Sequence, residues 1–521
     1  MVAGTPEEIV PLDPAPGDPR VPRRVGLGLN ALASTAGNLV HFGVIVLITP
    51  LAVRELGADG WGIWQLVGAA AIYGQLLNLS LGTAIHYQVS VRTARGDSAG
   101  LARVLTNVRV YMLVAGVTLL LGLALFGRPF VDFVVLEPHQ RSLAWSALVV
   151  SIVLTSLDFQ LRMFGSVLAG LQRMDLHSAF QILGAALLLA AIWFGFRSGM
   201  TLVGFAALMT IAPGASGALS VLAARRLVPR GSLRLVRFDL ALFREMVSYS
   251  LSTVLYTAGA VVLYQTMKLL AARSCGGPVA AGQMGLAISV AQALAVVFTP
   301  GVAVIQARVG QLQGESRIDE VPALLERILT LLGMALVPSL IFLMLDTRLI
   351  FEAWLTGTEA MAALGDLTAT TRLLLVGHGL YIAALPFYFT LLGVGQHRVF
   401  GIGMFAIAVT NTALGALATS IWPHIEALGF VYSLLMLALV LLVTGPAALR
   451  RFPVPLARVL WRAVLVPALA ALRAVYALSS RARSGHPKLD LLVDGALFGL
   501  LCLPGLELAR RRFGLALNLH S

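Results

Sequence analysis

Apolar residues run almost unbroken for twenty or more positions at a time along most of this chain, and the polar residues gather in short clusters between the runs. Such a run matches the ~20 residues that a helix needs to cross the hydrocarbon core of a bilayer. The runs are continuous rather than alternating, which excludes a β-barrel. They predict helices near 26–52, 61–86, 104–127, 142–163, 177–196, 200–223, 245–271, 279–304, 324–346, 368–393, 398–420 and 426–449, with a weaker pair near 458–479 and 490–508. The expected fold class is therefore an all-α integral membrane protein of about 14 transmembrane helices.

Composition agrees. Of 521 residues 58% are hydrophobic and only 12% charged, about half the charge of a soluble surface, so large soluble domains are excluded. The net charge of +13 would suggest a nucleic-acid partner in a soluble protein. Here the basic residues sit between apolar runs and read as topology signals instead. Arg20, Arg23 and Arg24 place the N-terminus in the cytoplasm. Arg92, Arg95 and Arg103, then Arg162 and Arg173, then Arg225, Arg226, Arg230, Arg234 and Arg237, then Arg398, then Arg450 and Arg451 fall on the same side. Only the last pair of helices conflicts: Arg481, Arg483 and Lys488 lie outside if 458–479 spans, and Arg510, Arg511 and Arg512 lie outside if it does not. The first apolar run exceeds the core of a signal peptide and is expected to stay as a membrane helix. Cys275 and Cys502 are too few for a disulfide framework or a zinc site.

The chain also repeats itself. Gly57-Ala58-Asp59-Gly60-Trp61-Gly62 leads through a helix to Gly96-Asp97, and Gly276-Gly277 leads through a helix to Gly314-Glu315. Phe164, Gly170 and Gln172-Arg173 match Phe387, Gly393 and Gln396-His397-Arg398. Six helices separate the copies, so both run the same way and form parallel repeats. The expected organisation is a cytoplasmic tail over 1–25, an N-lobe over 26–223, a basic cytoplasmic linker over 224–244, a C-lobe over 245–449, and a C-terminal helix pair with a basic tail over 450–521.

The stretch from Leu56-Gly57-Ala58-Asp59-Gly60-Trp61-Gly62-Ile63-Trp64-Gln65 to Leu79-Ser80-Leu81-Gly82 and Gly96-Asp97 resembles the opening of the Wzx-type polysaccharide flippases of the MOP (multidrug/oligosaccharidyl-lipid/polysaccharide) superfamily. Val167-Leu168-Ala169-Gly170-Leu171-Gln172-Arg173 and Glu352-Ala353-Trp354-Leu355-Thr356-Gly357 are similar to patterns of that family. The resemblance covers roughly 28–440. It implies two MATE-like six-helix lobes around a central cavity, alternating access, and undecaprenyl-diphosphate-linked oligosaccharide as the substrate, moved from the inner to the outer leaflet of a bacterial inner membrane. Ser80 and Gln265 depart from it where relatives often carry acids, which puts cation coupling in doubt. The partners it implies are the lipid-linked glycan, membrane lipids, and a polysaccharide polymerase or other assembly proteins; no nucleic acid is expected.

Ionisable and polar residues at membrane depth mark function by default. Asn30, Ser34, Asn38 and His41 share one helical face, with Asn38 and His41 near the midplane. That face reads either as a hydrophilic cavity wall or as an interhelical seam worth ~0.6 kcal/mol per contact. Gln75, Asn78, Tyr256, Tyr264, Gln265 and Gln292 carry chemistry suited to sugars, since amides donate and accept to hydroxyls. His378 is a second buried titratable group, a proton relay or a neutral core histidine. Arg109 and Arg308, near inner helix ends, could receive a lipid diphosphate; topology explains them equally well. Asp158 and Arg162, four apart, read as a structural pair. No Walker loop, metal-ligand cluster or nucleophile–base arrangement is present, so neither enzymatic chemistry nor a cofactor is expected. The rival readings are a cation-coupled multidrug exporter and an intramembrane glycosyltransferase or ligase.

Overall fold

The structure is a computed structural model and describes residues 27–78, 81–229, 231–355, 364–396, 398–481 and 483–512. Among these it is helical throughout, with no strand. The N-lobe holds α1 (Leu27–Gly74), a 3-10 turn (Gln75–Asn78), α2 (Gly82–Ala94), α3 (Ser98–Val134), α4 (Pro138–Gly170), α5 (Met174–Arg197) and α6 (Leu202–Leu227). The C-lobe holds α7 (Leu240–Ser274), α8 (Gly277–Gly314), α9 (Val321–Leu345), the short α10 (Thr347–Trp354), α11 (Thr368–Gly393), α12 (Arg398–Ile421) and α13 (Ile425–Leu449). A pair, α14 (Leu456–Ser479) and α15 (Pro487–Arg512), ends the fold.

Thirteen helices among the described residues are long and apolar enough to cross a membrane, so this is a multi-pass membrane protein. The first of them contains two passes. Gly57 has φ 71° and ψ 176°, a conformation open to glycine and strained in other residues, and the chain reverses there. Before it, His41 shares a cavity with Gln292 of α8; after it, Gly62 lies against Pro278 and Gln65 against Gly285 of the same helix. The run expected over 61–86 is not one helix: it breaks at the 3-10 turn, whose Leu77 carbonyl accepts from the Tyr111 hydroxyl at 2.5 Å.

Local signals set the helix ends. Proline begins α4, α8, α9 and α15, where its missing N–H costs nothing. Asp97 Oδ1 caps α3 by accepting from Gly100 N at 2.7 Å, and Asp239 Oδ1 caps α7 by accepting from Leu242 N at 3.1 Å.

The duplication is visible as geometry. A Cβ on Gly170 would meet Val89 and the His86 carbonyl; a Cβ on Gly393 would meet Val309 and the Gln306 carbonyl. Left-handed backbone recurs at Gly57 and Gly277, at Gly96 and Ser316, and at Gln172 and Gly395. Each lobe has its own apolar core.

The conflict over α14 and α15 resolves through ion pairs. At the face where α9 begins, Glu326 accepts Arg458 and Arg462 at 3.6 and 3.5 Å. At the opposite face Arg483 pairs with Asp346 at 3.1 Å, and Arg481 pairs with Asp490 at 2.9 Å and with Asp494. The basic cluster between the two helices is thus matched by buried carboxylates. Burial and the Asp494 charge hold the Asp346 carboxyl above the usual carboxylate range, against the pull of Arg483 and Arg481.

Candidate functional site: a cavity between the first and eighth helices

The lobes seal against each other at the face opposite the start of α1. Trp61 Nε1 donates to the Gly282 carbonyl at 3.3 Å. Gly62 packs so closely that a Cβ there would fall 1.9 Å from the Pro278 carbonyl oxygen. Deeper in the fold, the Tyr73 hydroxyl bonds Thr266 Oγ1 across the same interface.

Beside this seal lies a cavity of about 1290 Å³ between the first arm of α1 and α8. Ile45, Val46, Val296 and Ala303 make much of its wall, and His41 and Gln292 bring polar side chains into it. His41 is about 21 Å from the start of α1 and Gln292 about 22 Å from the start of α8, so the polar pair sits at mid-depth. Trp354 of α10 closes the far end, its indole donating to the Val46 carbonyl at 2.8 Å. The remaining wall is α15, through Leu491, Leu492, Gly495 and Ala496. Ion pairs that fix the C-terminal helices to α9 and its following turn therefore also position one side of the cavity.

The expected site residues divide into three groups. His41 and Gln292 line the cavity; Gln75 is on the 3-10 turn, its Oε1 accepting from Arg162 Nη1 at 3.5 Å. Asn78 is half-buried at the end of that turn, and its carbonyl accepts from Leu81 N at 3.2 Å. The side chain of Asn38 lies outside the described residues, as do those of Asn30 and Ser34.

Tyr256, Tyr264, Gln265 and His378 belong instead to the interior of the C-lobe. The Tyr256 and Tyr381 hydroxyls are 2.5 Å apart, and Tyr256 stacks on Tyr388 at 5.6 Å. Tyr264 stacks on His378 at 5.5 Å and its hydroxyl is 3.4 Å from that of Tyr432. His378 Nδ1 lies 3.1 Å from both the Leu374 carbonyl oxygen and the Tyr432 hydroxyl. Gln265 is buried and its Oε1 has no partner.

Arg109 and Arg308 have separate surroundings. Arg109 Nη1 donates to the Leu233 carbonyl at 3.0 Å and its guanidinium lies over Phe164 at 5.5 Å, which ties the linker between the lobes to α3. Arg308 donates to Gln311 Oε1 at 3.1 Å on its own helix. The arrangement missed by sequence reasoning is Arg162. Its spacing from Asp158 announced a pair, but not that the pair would reach Gln75.

No protein-family model and no curated protein matches the chain. Solved structures do. A multidrug resistance MATE family transporter of the MOP superfamily in its inward-facing conformation matches with a TM-score of 0.66 at 15% identity, over 80% of this chain and 94% of that one. The lipid II flippase MurJ in an inward closed conformation matches with a TM-score of 0.68 at 11% identity, over 93% of this chain and 99% of that one. The chain shares its fold with these MATE and MurJ structures. An outward-facing MATE conformation gives 0.57 at 15% identity, over 81% and 93%. The MurJ match, covering 93% of 521 residues, extends beyond Leu449.

Proposed function

We propose that this chain is a Wzx-type flippase carrying an undecaprenyl-diphosphate-linked oligosaccharide from the cytoplasmic to the outer leaflet of a bacterial inner membrane, for polysaccharide biosynthesis. The observation that carries this reading is the cavity between α1 and α8 with α15 as its third side. A lipid-linked glycan needs an apolar surface for its chain beside a polar path for its headgroup. Ile45, Val296, Leu491 and Leu492 supply the first, and His41 and Gln292 begin the second. Among the described residues lining the cavity none is Asp or Glu, the acids that would attract a cationic drug.

With the face where α1 begins in the cytoplasm, Arg92, Arg95, Arg225 and Arg226 fall inside, while Arg481 and Arg483 fall outside with acidic partners. The lobe contacts at Gly62 and Trp61 then close the outer end. An inside-negative potential favours outward movement of each diphosphate charge by about 2.3 kcal/mol per 100 mV, so no ATP is needed.

The test is flipping in liposomes. Wild-type protein moves a fluorescent undecaprenyl-diphosphate oligosaccharide between leaflets, and Ala293→Trp with Ala496→Trp, which fill the cavity from two walls, reduces the rate at least tenfold with the protein still folded. Export of a cationic dye with no flipping of the lipid overturns the reading in favour of a drug exporter. Formation of a covalent glycan product favours an intramembrane transferase.

A further inference from the structure

The linker between the lobes is tied along its backbone to α3. Asn107 is fully buried; its Nδ2 donates to the Asp239 carbonyl at 2.7 Å and its Oδ1 accepts from Asp239 N at 2.8 Å. Thr106 Oγ1 accepts from Val236 N at 3.1 Å, and Arg109 Nη1 donates to the Leu233 carbonyl at 3.0 Å. Residues 234–239 belong to no helix, so side chains of α3 supply partners that a helix would otherwise give the backbone. The linker's own side chains are left facing out. Arg234, Leu235, Val236, Arg237 and Phe238 are all exposed, Leu235 at 72%.

The depth of this segment follows from α3. Residues 110–127 carry no charge and are bounded by Arg109 and Arg128; at 1.5 Å per residue they span about 27 Å, close to the thickness of a hydrocarbon core. A segment fastened to Thr106, Asn107 and Arg109 therefore lies level with the edge of that core, where headgroups meet hydrocarbon. There an apolar side chain can enter the acyl region while an arginine keeps its guanidinium among the phosphates. The surrounding charge has one sign. Arg225 and Arg226 end α6 and Arg244 lies in the first turns of α7, all exposed. Among the described residues none of these three, nor Arg234 or Arg237, pairs with a carboxylate; the nearby Asp239 pairs with Arg103. The basic cluster at the opposite face is different, since Asp490, Asp494 and Asp346 neutralise Arg481 and Arg483. A cluster that the chain does not neutralise suits an anion from outside it.

We propose that residues 234–238 bind anionic phospholipid of the leaflet at the face where α1 begins, with Leu235 and Phe238 among the acyl chains and Arg234 and Arg237 on the headgroup phosphates. None of these residues lines the cavity between α1 and α8, so the surface is separate from the transport path and independent of what is transported. A lipid bound there sits at the junction of the lobes, because Asp239 at the end of the segment also caps α7.

The experiment attaches a fluorophore to Leu235→Cys in the full-length protein, with Cys275→Ser and Cys502→Ser. The protein is placed in nanodiscs of equal parts phosphatidylglycerol and phosphatidylcholine, and the fluorophore is quenched by doxyl chains carried on one lipid or the other. Both lipids quench, and phosphatidylglycerol is preferred at least fivefold, the gain from about one arginine at an anionic surface. Arg234→Gln with Arg237→Gln brings the preference close to one while quenching by both lipids persists, because the apolar side chains remain. High salt does the same to the wild-type arginines. If the cysteine-substituted background does not fold, native mass spectrometry of phosphatidylglycerol retained by the wild type and by the double glutamine variant makes the same comparison, with retention falling at least fivefold. Quenching by neither lipid puts the segment in water, leaves it to a soluble partner and overturns the proposal. Equal quenching by both lipids in the wild type, or a preference unchanged in the double variant, also overturns it.

Discussion

Where the N-lobe places Asp158 on α4, the C-lobe places Tyr381 on α11, at the same spacing that relates Gly170 to Gly393. Asp158 pairs with an arginine open to its surroundings. Tyr381 bonds Tyr256 among Tyr388 and Phe400, enclosed on all sides. By the same spacing Arg162 corresponds to Leu385, a core residue. The duplicated backbone keeps its close approaches, with a valine seated on a glycine in each lobe, while the interiors have diverged. One lobe keeps an accessible charge; the other fills the equivalent space with rings, each pair worth about 0.5–1.5 kcal/mol beyond burial.

Transplanting the C-lobe solution into the N-lobe breaks the comparison most severely. Arg162→Leu leaves Asp158 buried without its cation, at a cost of about 3–5 kcal/mol, read as a large fall in the melting temperature of the detergent-purified protein; a small fall means that Asp158 is not enclosed as described. Next in size, Gly170→Ala and Gly393→Ala should each cost about 1–3 kcal/mol by overpacking a valine. Their near equality is the sharper expectation, and unfolding in denaturant checks it: one tolerated and one damaging substitution means that the lobes do not share this contact. Smallest is Tyr381→Phe, which removes one interhelical hydrogen bond worth ~0.6 kcal/mol and should leave flipping unchanged. A flipping defect of tenfold there would place the C-lobe tyrosines in the substrate path.

Much of this architecture was legible in the sequence because a bilayer demands long apolar helices, and the glycine spacing exposed the duplication. The break between Gly74 and Gly82 was not legible, since Gln75–Asn78 is as apolar around it as a helix would be. Depth along a helix set His41 near the midplane and Gln292 among the mid-depth polar residues, and both line the one cavity between α1 and α8. It could not separate Tyr256, Tyr264, Gln265 and His378 from a cavity wall, because a polar residue on a helix face shows that something polar faces it without showing whether that is substrate or another tyrosine. The role of α15 was hidden for a different reason. Its placement depends on Arg483 meeting Asp346 and Arg481 meeting Asp490, and loop charge alone cannot reveal which arginines are neutralised by partners from another helix. The Asp158–Arg162 pair was legible from its four-residue spacing.

The most direct measurement is a structure of the protein with undecaprenyl-diphosphate oligosaccharide bound in nanodiscs. The account predicts the lipid chain between α1, α8 and α15, against Leu492 and Val296, with the headgroup beside His41 and Gln292. A substrate seated outside that cavity contradicts it.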